Sequence, residues 1–119
     1  MQGIFRGSFL TVVLAGLLGL GSVSAAWASD AVAEGKSLAF DRGKGNCLAC
    51  HAIDDGELAG TIGPPLVSME LRYPDRAALK SQICDATLRN PYTRMPPYCR
   101  HGILTENEVE QIVDYLYTL

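Results

Sequence analysis

The chain has 119 residues, with ten lysines and arginines against thirteen aspartates and glutamates and a formal net charge of −3. That length holds one domain, and the acidic balance excludes a broad basic face for nucleic acid. A single domain of this size buries only a modest core, too little for the deep two-lobed cleft of a typical stand-alone enzyme.

Arg6 precedes an apolar run, Phe9–Leu20, and small residues then lead to Ala26-Trp27-Ala28. A basic start, a short apolar stretch and an A-x-A cut form a secretory leader. The competing reading is a retained anchor, since Phe9–Ala28 carries no charge over 20 residues, enough to span a bilayer. Its second half holds Gly21, Ser22 and Ser24, poor material for hydrocarbon. We therefore expect residues 1–28 to be removed near Ala28, leaving a domain of residues 29–119 without a membrane anchor. In a bacterium this places the mature chain in the periplasm, where disulfides persist.

Asp30 is expected to cap a helix from Ala31 to about Asp41, in which Gly35 leaves a notch for another backbone. Gly43-Lys44-Gly45 ends it. Asn46–His51 reads as a helical turn and Ala52–Ser68 as loop. Met69–Leu71 is ambiguous. Pro74 suits a first helical position, so a helix is expected from Pro74 to about Leu88, burying Ala78, Leu79 and Ile83. Tyr92–Gly102 is a loop stiffened by Pro96-Pro97. Thr105 and Glu108 form a capping box for a final helix with Val109, Ile112, Val113 and Leu116 on one face. No segment reads as a strand, so the expected class is all-α.

Cys47-Leu48-Ala49-Cys50-His51 is C-x-x-C-H, the attachment sequence of c-type haem. Two thiols three residues apart on one helical turn project to the same side and can each add to a haem vinyl group. The adjacent imidazole can then ligate the iron. The competing readings are a redox C-x-x-C dithiol, which wants a β-α-β setting, and half a zinc site, which lacks a second close ligand pair.

An electron-transfer haem c takes a second axial ligand. Candidates are Met69, Met95, His101 and the thiolates of Cys84 and Cys99. Met95 is favoured, because two prolines directly after it stiffen its loop. A ligating His donates its other ring N–H to a fixed acceptor. Gly63-Pro64-Pro65-Leu66 can supply one, most plausibly the Pro64 carbonyl. Cys84 and Cys99 form an even remaining pair in an oxidising compartment and are expected to be disulfide-bonded. Two buried inert thiols, or a thiol that is redox-active or joined to a partner, are the alternatives. No acid–base constellation stands out, so no catalytic residue is assigned.

C-x-x-C-H, Gly63-Pro64-Pro65-Leu66, the Met95-Pro96 loop and an amphipathic C-terminal helix together resemble class I cytochrome c across residues 29–119. That resemblance implies three to five helices wrapped around one covalently bound haem. Gly45–His51, Gly63–Val67 and Asn90–Tyr98 running through His101–Thr105 narrow it to the SoxX family, the small monohaem subunits of SoxAX complexes in bacterial sulfur oxidation. Cys99 departs from the small residue expected there.

The resemblance implies Cys47 and Cys50 as thioether positions, His51 as proximal ligand and Met95 as distal ligand. It also implies a heterodimer with a SoxA-type cytochrome subunit. In such complexes a thiosulfate-derived group is coupled oxidatively to a cysteine of the carrier SoxYZ, a thiosulfotransferase reaction whose bond chemistry belongs to SoxA. The small subunit takes up the electrons and passes them to a soluble cytochrome c. The alternative is a free-standing monohaem cytochrome c shuttling electrons in a respiratory chain. A peroxidase or ligand sensor would need a vacant axial site.

Overall fold

The computed structural model describes residues 23–119. Four α-helices follow in order: α1 (Val23–Phe40), α2 (Met69–Arg72), α3 (Arg76–Cys84) and α4 (Glu106–Leu116). Short 3-10 turns lie at Cys47–Ala49 and Ala86–Leu88. Among the described residues there is no strand, only an isolated parallel bridge between Ile53 and Leu66. The fold is helical, as the sequence leads one to expect.

α4 organises the core. Thr105 Oγ1 accepts from Glu108 N–H and Glu108 Oε2 accepts from Thr105 N–H, so the capping box is complete. The helix buries Val109, Ile112, Val113, Tyr115 and Leu116, which pack with Leu38 and Ala39 of α1 and Leu79 and Ile83 of α3. Each fully buried aliphatic side chain of this kind contributes about 1.5–3 kcal/mol relative to exposure. Where α1 crosses α4, a Cβ on Gly35 would stand 1.8 Å from the Gln111 carbonyl oxygen, so only glycine allows this approach.

Three expectations need correction. α1 begins at Val23, not Ala31, and runs through Asp30, which therefore caps nothing. Ala25, Ala26 and Ala28 have the highest helix propensity, and no breaker separates them from Ala31. The expected leader lies outside the described residues over positions 1–22, and its last six residues open α1. The expected helix from Pro74 to Leu88 starts and stops inside those bounds. Asp75 is its N-cap, accepting from Ala77 N–H at 2.9 Å, so Pro74 precedes the cap. Asp85 accepts from Thr87 N–H at 3.0 Å and starts a new turn, which ends α3 at Cys84. Ala78 is half-buried, whereas Leu79 and Ile83 are buried.

Candidate haem site

Residues 45–51 form a tight turn. Gly45 N–H donates to Leu38 O at 3.0 Å. Asn46 follows with φ 46°, a left-handed conformation that Asn tolerates. His51 N–H then donates to Cys47 O at 2.9 Å. This turn brings Cys47, Cys50 and His51 to the wall of one cavity of about 250 Å³. The rest of the wall is largely apolar, with Leu66, Leu79, Ile83, Ile112 and Leu116, and it carries no carboxylate.

The Gly60–Leu66 loop is sewn onto that turn. Gly60, Gly63 and Leu66 N–H groups donate to Leu48, Cys50 and Ala52 carbonyls at 2.9, 2.8 and 2.9 Å. The loop presents the Pro64 carbonyl 2.7 Å from His51 Nδ1. A carbonyl only accepts, so Nδ1 carries the proton and donates, which leaves Nε2 as the ring nitrogen free for a metal. Gly63 lies flat on the imidazole: a Cβ there would stand 2.2 Å from His51 Cε1.

Met95 lines the same cavity. Its N–H donates to Thr93 Oγ1 at 3.1 Å, and Gln82 Nε2 reaches its sulfur at 4.0 Å. Cys84 and Cys99 are joined in a disulfide with Cα atoms 4.7 Å apart, and Cys99 N–H donates to Cys84 O at 3.1 Å. Tyr98 Oη donates to Gly45 O at 2.6 Å. The Met95 loop is thus tied to α3 through Cys99 and to the C-x-x-C-H turn through Tyr98. Tyr98 is a site residue that the sequence did not reveal, because a hydrogen bond across 53 positions leaves no local signal.

The other ligand candidates separate by position. His101 is exposed and does not line the cavity. Cys84 and Cys99 are engaged with each other. Met69 does line the cavity, but it is only 2% exposed within the core. Arg72 Nη1 donates to both Met69 Sδ, at 3.5 Å, and Pro65 O, at 2.8 Å. Met69 is thereby held beside the loop that braces His51.

Two thiols, an imidazole with a free Nε2 and a thioether around one apolar cavity fit haem c. They do not fit the competing readings. Burial pushes the Cys47 thiol up to about 11, the opposite of what a redox dithiol needs. Among the described residues no three His, Cys, Asp or Glu side chains gather as a metal cluster, as zinc would require. Burial likewise raises Tyr98, keeping its hydroxyl a donor.

Comparison with known families matches residues 30–116 to cytochrome c oxidase, cbb3-type, subunit III. The chain belongs to this cytochrome c family. It is a class I-type cytochrome c domain, an electron-transfer haem protein whose haem c is covalently held. The cytochrome is also 36% identical over 75 residues to an uncharacterized lipoprotein of Aquifex aeolicus (strain VF5). That stretch covers 62% of this chain and 36% of the lipoprotein, so the cytochrome matches about a third of that relative's length.

Proposed function

We propose that the chain is an exported monohaem cytochrome, cleaved near Ala28, acting as the SoxX-type electron-transfer subunit of a periplasmic SoxAX complex. Cys47 and Cys50 would hold the haem by thioether bonds, with His51 Nε2 and Met95 Sδ as axial ligands. The bound haem supplies one-electron iron chemistry. Pro64 O fixes the tautomer and orientation of His51. The Met95 loop, tied at Tyr98 and Cys99, keeps the thioether in place, and the apolar wall excludes water.

The observation that carries the reading is the His51 Nδ1 to Pro64 O contact at 2.7 Å. It commits one ring nitrogen and frees the other within a cavity that also holds Cys47, Cys50 and Met95. The SoxAX role is supported by the three sequence blocks that carry the resemblance, Gly45–His51, Gly63–Val67 and Asn90–Tyr98. All three contribute to this one cavity. In that role the chain takes electrons released when thiosulfate is coupled to a SoxYZ cysteine at the SoxA-type subunit, and passes them to a soluble cytochrome c. No bond chemistry falls to this chain.

The test is purification of the native exported protein, followed by haem staining and mass analysis of what travels with it. A one-to-one complex with a SoxA-type haem subunit is expected. A monomer would mean a free-standing electron shuttle instead.

A further inference from the structure

The charges of the described residues are unevenly placed. All three lysines are ion-paired: Lys36 with Asp54 and Asp55, Lys44 with Glu108, and Lys80 with Glu106 and Glu110. Arg76 pairs with Glu110 and Asp114, and Arg100 with Asp85. Arg42, Arg72, Arg89 and Arg94 are exposed and form no ion pair among the described residues.

Arg72, Arg89 and Arg94 share one face, whereas Arg42 lines neither of its recesses. Arg72 and Arg94 line the haem cavity. Arg72 and Arg89 line a shallow recess beside it, together with Asp75, and the Arg89 guanidinium lies 5.7 Å from the Tyr73 ring centroid. Segments 58–72 and 88–94 hold these three arginines against one carboxylate of their own, Glu70, and Asp75 at the edge of the recess. Among the described residues, the same two segments hold every large apolar side chain that is exposed: Leu58, Ile62, Val67, Leu71, Leu88 and Tyr92. Leu71 is 84% and Tyr92 93% accessible. Ile62 stands at the cavity wall itself.

Arginine and aromatic residues with few lysines or carboxylates is the composition of an interface core rather than of an ordinary solvated surface. A cationic patch on an acidic chain also steers an anionic partner while the rest of the surface repels it. We propose that segments 58–72 and 88–94 form the docking surface for a redox partner protein that presents an apolar patch rimmed by carboxylates, and that electrons cross there. This rests on the haem-cavity reading above and adds the chemistry of the partner.

Two measurements on the holocytochrome test it. The first is stopped-flow oxidation of the ferrous protein by hexacyanoferrate(III), an anion, and by tris(phenanthroline)cobalt(III), a cation. The face predicts that the hexacyanoferrate rate falls and the cobalt rate rises as salt is added, opposite to the sign of the net charge. Arg89→Gln with Arg94→Gln should flatten both slopes at least twofold, while Arg42→Gln, on the turn after α1, should not. Arg72 is left in place because it also holds Pro65 O. Slopes that follow the net charge overturn the proposal.

The second is equilibrium binding to a purified SoxA-type subunit. Arg89→Glu with Arg94→Glu should weaken it at least tenfold, and Leu71→Ser with Tyr92→Ser should do the same without altering the haem spectrum. Binding indifferent to all four changes overturns the docking surface but leaves the SoxAX assignment intact. No binding, with the salt slopes as expected, overturns the SoxAX assignment and leaves the surface supported by the first arm.

Discussion

The Tyr98 hydroxyl donates to the Gly45 carbonyl at 2.6 Å, joining the residue three places after Met95 to the residue two places before Cys47. Both groups are buried. Tyr98→Phe leaves the Gly45 carbonyl without its partner, which costs about 1–3 kcal/mol. The disulfide anchors the same loop to α3. With Cys84 and Cys99 separated by 15 positions, replacing both by Ser costs about 3 kcal/mol in the chain-entropy account. Urea titration of the holoprotein should show both losses, the disulfide variant being the less stable.

Gly63 tests the proximal side. Gly63→Ala puts a methyl 2.2 Å from His51 Cε1, so either the ring or the Gly60–Leu66 loop must move. Overpacking of this kind costs about 1–3 kcal/mol. The ferric spectrum should gain a high-spin component, because His51 no longer keeps both Pro64 O and the iron. Gly43→Ala is the control, since its nearest neighbour is the movable Asp41 carboxylate at 3.3 Å. An unchanged Gly63→Ala spectrum would remove the proposed role of the Pro64 loop.

The axial ligand has its own signature. The low-spin ferric protein should show a weak sulfur-to-iron band in the near-infrared. Met95→Ala should abolish it and Met69→Ala should leave it, though the latter loses about 2–5 kcal/mol of stability as a buried Met truncation. The reverse pattern would transfer the distal ligand to Met69.

Acid should loosen α4. Glu108 is held below the usual carboxylate range by the Lys44 ammonium and by the Thr105 backbone N–H, and Glu110 by Lys80. A carboxyl whose folded pKa is depressed contributes stability that is present above its unfolded value and is lost as pH falls through the folded one. Resistance to urea should therefore hold from pH 7 down to about 5 and decline below about 4.5. Glu108→Gln should be less stable at pH 7 and should lose less on acidification. Equal pH slopes in the two proteins would rule this contribution out.

The parts of the site written in contiguous residues were legible in the sequence: C-x-x-C-H, the proline-stiffened acceptor loop, the Met95-Pro96-Pro97 run and the Thr105–Glu108 box. Each depends on local covalent spacing or on residues a few positions apart. Tyr98 to Gly45 and Gly63 over His51 depend on distant segments meeting, and neither residue type announces such a partner. The bounds of α1 and α3 failed for a different reason. Asp30, Asp75 and Asp85 are all residues that favour caps, and sequence alone does not say which the chain uses. Asp75 and Asp85 cap, whereas Asp30 is carried through by the alanines before it. The arginine face was invisible because it is defined by which unpaired cations gather beside the cavity, a property of the folded surface.

The central claim is that Cys47 and Cys50 bind haem through thioether bonds beside His51. Intact-mass analysis of the protein purified from a host with a haem c maturation system tests it most directly, combined with extraction into acidified organic solvent. The denatured chain should weigh one haem more than the polypeptide and keep all of the haem with the protein, while Cys47→Ser with Cys50→Ser should weigh the bare polypeptide. Haem that leaves the wild-type chain entirely into the solvent, with both thiols open to alkylation, would contradict it.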